Sequence, residues 1–312
     1  MSHVCRFLLK TSILLCIAAG MSASMFFWIP PDPEGYFQAS VVKSALLETT
    51  PSPRIILIGG SNVAFGIDSE LMEARLGMPV INMGIHGGIG ESSYLEVFEQ
   101  LRSGDIVILM PEYIVFGSDV LSRGNDVILA EWIEYDLERL RLLSPQRVPD
   151  ILLAMLRIKA TRQAASLFLS GDFDRGVFIA RNFNSHGDFI GHIDINQPIE
   201  DIQNGPYFSS IDDFSGAFAF FKQFNLGAQG KGAVVYFEFP ASRAQNCLQT
   251  GREQIKKFYS ALLRETNIPV LTALGEICYP NSYFYDTNYH LNGVGRQAMT
   301  ERVIKDLLPY LP

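Results

Sequence analysis

A serine hydroxyl becomes a nucleophile when an imidazole takes its proton and a carboxylate holds that imidazole in place. The chain supplies these residue types at two widely separated points: Gly59-Gly60-Ser61-Asn62, directly after an apolar run, and Asp286-Thr-Asn-Tyr-His290, directly before the last stretch of helical spacing. A serine where a strand hands over to a helix is exposed at the sheet edge, which suits a nucleophile. The plainer reading makes the two glycines and Ser61 a strand-to-helix turn with a serine cap. His290 has a plain reading too, as a residue that caps the final helix. Taken together the two segments favour catalysis, with Ser61 as nucleophile, His290 as base and Asp286 as its orienting carboxylate.

Such groups must be held by a scaffold, and the apolar pattern outlines one. Arg54 to Ile58, Pro79 to Asn82, Asp105 to Met110, Gly232 to Phe239 and Pro269 to Leu274 read as strands. Helical spacing covers Asp68 to Leu76, Ser92 to Leu101, Arg252 to Arg264 and Gly293 to Leu308. Strands alternating with helices predict an α/β fold, a parallel sheet with helices on both faces, with ligands at the carboxyl ends of the strands. The rhythm breaks from about residue 115 to 218, where Glu131 to Leu143 and Val148 to Leu169 read as helices and Phe183 to Gln197 as a polar segment. This stretch is expected to be a mainly helical insertion forming a lid or side wall.

The amino-terminal end differs in kind. Arg6 and Lys10 precede an uncharged run from Thr11 to Ile29 that ends at Pro30-Pro31, long enough to span a bilayer. Either it is a retained anchor, the favoured reading, or a signal peptide cut after Ser22-Ala23-Ser24. Positive residues ahead of the span orient the amino terminus inward, giving a single-pass inner-membrane protein whose bulk faces the periplasm or cell exterior. The expected divisions are 1–30 as anchor or signal, 31–53 as a stalk or first helix, and 54–312 as the folded domain. A formal net charge of −8 with no basic cluster argues against nucleic acid. Of four cysteines, Cys247 and Cys278 lie in the folded part, where a disulfide and two buried thiols are both open readings.

Two further segments invite a binding role. His186-Gly-Asp188 and His192-Ile-Asp194 resemble metal-ligand pairs, but a polar hairpin, or a loop lending Asn184 or Asp188 to the site wall, is the preferred reading. No metal or cofactor is expected. Tyr283, Phe284, Tyr285 and Tyr289, with Trp132 and Tyr135, would suit stacking on sugar rings, although aromatics are more often core and rim material.

The blocks in this order resemble the SGNH (GDSL-like) hydrolase superfamily. Ser61 matches its first block, Gly84 in Asn82-Met-Gly84-Ile-His-Gly87-Gly88 its second, and Asp286 with His290 its last. The resemblance covers about Arg54 to Pro312 without the insertion, and implies a three-layer, flavodoxin-like sheet. It also implies that the Gly84 backbone N–H faces the oxyanion of the reaction. The first block here is Gly-Gly-Ser-Asn rather than Gly-Asp-Ser, and four residues rather than three separate Asp286 from His290. Pro111-Glu112-Tyr113 replaces the third block's glycine and asparagine, which leaves Asn62 or Tyr113 as substitute oxyanion donors. With an amino-terminal anchor, these departures resemble the membrane-anchored branch that includes alginate O-acetyltransferases and the D-alanyl transfer protein of teichoic acids. That resemblance implies an esterase or O-acyltransferase acting on an acylated carbohydrate or envelope polymer, beside a membrane-bound acyltransferase. The alternative from another class is a non-catalytic scaffold of the same shape that binds polysaccharide or such a partner. A phosphodiester or lipid hydrolase is less favoured, for want of a basic cluster to hold phosphate.

Overall fold

The computed structural model describes residues 3–117, 119–168, 176–195, 205–272 and 276–311. Leu169, Gln197, Leu274 and Pro312, which end expected elements, lie outside them. In chain order the helices are α1 (His3–Trp28), α2 (Ala39–Thr49), α3 (Ser61–Gly66), α4 (Ser69–Leu76), α5 (Glu91–Glu99), α6 (Val120–Arg123), α7 (Asp126–Ile133), α8 (Val148–Phe168), α9 (Ser215–Gly230), α10 (Ala244–Thr250), α11 (Arg252–Thr266) and α12 (Gly293–Leu307). The strands are β1 (Ile55–Gly59), β2 (Val80–Asn82), β3 (Ile106–Met110), β4 (Val234–Phe237), β5 (Ser242–Arg243) and β6 (Cys278–Tyr279).

Four strands form one parallel sheet in the order β2-β1-β3-β4, with a parallel bridge from Phe237 to Val270 beyond β4. Continuous apolar runs are what a strand needs when both faces are covered. Ile56, Ile58, Val107, Leu109, Val235 and Phe237 pack on one face against Leu47 of α2, Val97 of α5, Phe221 of α9 and Phe258 of α11. Their neighbours Ile55, Leu57, Ile106, Ile108 and Tyr236 pack on the other, against Met72 of α4 and Met299 and Val303 of α12. The fold is therefore mixed α/β, with a parallel sheet flanked by helices. Arg54 and Asp105, both wholly buried, pair at 3.2 Å just before β1 and β3 and fix where those strands start.

Residues 36–49 fold as a helical turn and α2, and Leu47 enters the core, so this part of 31–53 is a first helix rather than a stalk. The expected helix over Glu131 to Leu143 is interrupted: α7 ends at Ile133, and Asp136 accepts from the Glu138 N–H to start a separate tight turn. α7, α8 and that turn build their own apolar cluster around Trp132, Ile133, Ile151 and Met155, which also takes in Phe37 and Ile85.

α1 is long and apolar enough to cross a membrane, and none of its apolar window is buried in the fold. At its exit, Lys159 of α8 donates to the Ile29 carbonyl, and Arg162 donates to the Pro30 carbonyl and pairs with buried Glu134 at 2.6 Å. Cys247 and Cys278 form a disulfide that ties α10 to β6.

Candidate active site

Parallel pairing of β1 with β3 sets Gly59 opposite Met110, so Ser61 and Glu112, each two residues beyond the pair, emerge together at the carboxyl edge. Little space is left there. A Cβ on Gly59 would lie 2.4 Å from the Met110 carbonyl oxygen, and one on Gly60 would lie 2.3 Å from Glu112 Oε1. The two glycines are thus required by the approach of β3 and the loop after it. Asn62 ties the turn down: its Oδ1 accepts from the Gly60 N–H at 3.0 Å and its Nδ2 donates to the Met110 carbonyl at 2.9 Å.

The His290 loop is held from several sides. Asp286 Oδ1 lies 2.7 Å from His290 Nδ1. Thr287 Oγ1 accepts from the amides of both Tyr289 and His290, and the Tyr285 N–H donates to the His290 carbonyl. The four-residue spacing is therefore a closed turn that brings the carboxylate back to the ring. The imidazole stacks on Phe65, centroids 3.9 Å apart and planes 9° from parallel. Phe65 stands one helical turn after Ser61 in α3, where residues four apart share a face, so the helix that presents the serine also carries the platform for the histidine. With Nδ1–H donated to Asp286, Nε2 is left as the proton acceptor.

Ser61 Oγ donates to Glu112 Oε1 at 3.0 Å, and among the described residues no hydrogen bond joins Ser61 to His290. The Asn62 N–H also leans on Glu112 Oε1, at 3.4 Å. Glu112 is buried, and a Cβ on Gly87 would lie 2.7 Å from its Oε2. Sequence reasoning read Pro111-Glu112-Tyr113 only as the loss of an asparagine and passed over this carboxylate. The register of two parallel strands, each followed two residues later by a polar side chain, is the signal that would have found it.

Gly84 is where close packing demands it, since a Cβ there would meet Val63 Cβ at 2.5 Å and the Ala64 nitrogen at 2.8 Å. Its N–H, however, donates to Asn82 Oδ1 at 3.0 Å and is not free for an oxyanion in this arrangement. Asn82 in turn donates to the Val63 carbonyl and to Asp188. Tyr113 does not offer its hydroxyl to Ser61: its ring is buried beside Tyr207, Phe208 and Phe258, while its N–H donates to the Tyr289 hydroxyl at 3.2 Å. His86 Nδ1 accepts from the Gly88 N–H, and burial pushes its pKa down, against the opposing pull of the Glu112 charge. Burial likewise pushes the Tyr36 and Tyr289 phenols up, with the charge of Glu112 adding to it in both.

The two His-x-Asp pairs are not brought together. His186 approaches Glu73 at 3.5 Å, and buried His192 contacts the Leu291 carbonyl through Nε2 at 2.7 Å. Asp188 is wholly buried and serves the scaffold behind Gly84, pairing with Arg296 of α12 at 3.0 Å. Among the described residues no group of three His, Cys, Asp or Glu side chains is placed to hold a metal ion. Comparison with protein-family models and with curated proteins finds no match for this chain.

Proposed function

We propose that this chain is a serine-dependent acyl ester hydrolase or O-acyltransferase of SGNH type, working on an extracytoplasmic, polysaccharide-like substrate through a Ser61 acyl-enzyme. The observation that carries the reading is the Asp286–His290 contact at 2.7 Å, stacked on a phenylalanine one turn from Ser61. In this mechanism the hydroxyl of Ser61 turns from Glu112 to His290 Nε2 and attacks the acyl carbon as the imidazole takes its proton. Asp286 keeps the ring in the right tautomer and stabilises its charged form. Collapse expels the alcohol, which leaves with the proton from His290. Water then releases the acid, or a sugar hydroxyl takes the acyl group.

Support for the finer fold reading comes from the strand order β2-β1-β3-β4 with helices on both faces, the order expected of a flavodoxin-like sheet. The grip of Lys159 and Arg162 on the last carbonyls of the anchor favours its retention, and the disulfide suits an oxidising, extracytoplasmic compartment. A second reading, the non-catalytic scaffold, draws on two observations: Ser61 is bonded to a carboxylate, and the Gly84 amide is spent on Asn82.

Covalent labelling of the full chain in detergent by a fluorophosphonate, read by intact mass, separates the two. Labelling of wild type that falls at least about 10³-fold in Ser61→Ala is expected for an acyl-enzyme. A folded wild type that takes no label leaves the scaffold.

A further inference from the structure

The buried Glu112 carboxylate lies 3.0 Å from the hydroxyl that would attack, and the same oxygen also takes the Asn62 N–H at 3.4 Å. Any acyl carbon bonded to Ser61 Oγ carries its oxygens one bond further out, within reach of Oε1. An ionised Glu112 would face the developing oxyanion with a like charge. Its freedom to swing aside is small, because the side chain is buried and its two oxygens lie against Gly60 and Gly87, near enough that a Cβ on either would clash. The titratable groups around it are the phenols of Tyr36, Tyr94 and Tyr289 and the imidazole of His86. Among the described residues no lysine or arginine pairs with it.

We propose that Glu112 is a further catalytic residue that enters the reaction as its neutral acid and donates a hydrogen bond from its carboxyl O–H to the acyl oxyanion. The role rests on the Ser61 acyl-enzyme reading above. The Ser61-to-carboxylate hydrogen bond is then the resting arrangement. Before attack Glu112 takes one proton from solvent. The Ser61 proton passes to His290 Nε2, the Oγ–C bond forms, and the carbonyl electron pair moves onto the oxygen that Glu112 holds. On collapse the bond to the alcohol breaks, the alcohol takes the proton from His290, and Glu112 keeps its own. The donor that the altered third block lacks as an asparagine is on this account supplied by a protonated glutamate.

The test uses the full chain in detergent and phenylboronic acid, which adds to a nucleophilic serine as a tetrahedral anion. Titration calorimetry in two buffers of different ionisation enthalpy reads the protons taken up on binding. Wild type is expected to take up one proton per site. Glu112→Gln, a neutral donor of the same shape, is expected to take up none and to bind at least as tightly. Glu112→Ala is expected to bind about 100-fold more weakly or worse, since removing one oxyanion donor costs about 10² to 10³. An infrared carboxylic-acid band that appears in wild type on boronate binding gives the same reading without any variant. Boronate binding that is lost in Ser61→Ala but brings no proton uptake, or that weakens about 100-fold in Glu112→Gln, overturns the role of Glu112 alone. Wild type that binds no boronate through Ser61 overturns the acyl-enzyme and this role together.

Discussion

Removing the charge of Asp188 should destabilise the fold behind the site, and the reason lies in the chemistry of its neighbours. The carboxylate is wholly buried and accepts from the Ser69 N–H at 2.9 Å, Ser69 Oγ at 2.6 Å, Asn82 Nδ2 at 2.8 Å, Asn184 Nδ2 at 3.1 Å and Arg296 Nη2 at 3.0 Å. Every partner is a donor. Truncating one member of a buried ion pair costs about 3–5 kcal/mol, because the other charge is left uncompensated. Arg296 keeps the Ile67 carbonyl at 2.8 Å and a looser contact with half-buried Asp68 at 3.7 Å, which places Asp188→Ala near the lower end, about 3 kcal/mol. Asp188→Asn is the sharper variant. Its volume is conserved, but the amide must turn an NH2 group toward donors, so it should be about as damaging as alanine. Urea denaturation of the full chain in detergent, followed by tryptophan fluorescence, measures both. A loss under about 1 kcal/mol in either would refute the reasoning, and so would near-complete rescue by asparagine.

Asp286→Asn should leave the fold within about 1 kcal/mol, since that side chain is partly exposed, yet slow fluorophosphonate labelling by about 10³- to 10⁴-fold through the wrong imidazole tautomer. Unchanged labelling would remove Asp286 from the site. Glu238, wholly buried and accepting from Thr272 Oγ1 at 2.6 Å, has its carboxyl pushed up to about 8 by burial. The folded state then holds a proton that the unfolded chain has released, so stability is lost as pH rises from the ordinary carboxylate range to about 8. Glu238→Gln should lack that loss, and the variant should gain on wild type by up to about 4 kcal/mol between pH 5 and 8.5 in matched melts; a constant difference would count against it. Breaking the Cys247–Cys278 bridge, which closes a separation of 31 residues, should cost about 3 kcal/mol, read as a lower urea midpoint under reducing conditions.

Much of the sheet was legible because a strand covered on both faces must be apolar throughout, and Ile55–Gly59 and Ile106–Met110 are. Helix starts were legible where a side chain does the capping, as Asp68 does for α4 and Asn292 for α12. α9 escaped because its residues are poor helix formers by themselves: three glycines and four phenylalanines in sixteen positions give it little intrinsic preference. Burial of Phe218, Phe221 and Phe224 against the sheet supplies what propensity lacks. The break between α7 and the turn at Leu137 was invisible for a related reason. Asp136 starts the new turn and Arg139 donates to the Trp132 carbonyl, while Glu134 is drawn to Arg162 and Lys159, which lie well along the chain.

The candidate site divides along the same line. Ser61, Asp286 and His290 could be picked out because the roles proposed for them rest on residue type and position relative to strand and helix ends. Phe65 and Glu112 could not, because what makes them matter is a partner supplied by another element. A phenylalanine in α3 is ordinary core until a histidine from a loop more than two hundred residues later lies flat on it, and a glutamate after β3 is ordinary edge until the register delivers it to a serine after β1. The glycines tell the same story from the other side. Gly60 and Gly87 could be taken for turn formers, but each is fixed by a carboxylate oxygen within 3 Å of where its Cβ would be. A larger side chain at either position would meet Glu112, and at Gly60 the Gly87 nitrogen as well. The Gly-Gly-Ser-Asn and Pro-Glu-Tyr segments are therefore one structural unit: the missing side chain at Gly60 makes room for Glu112.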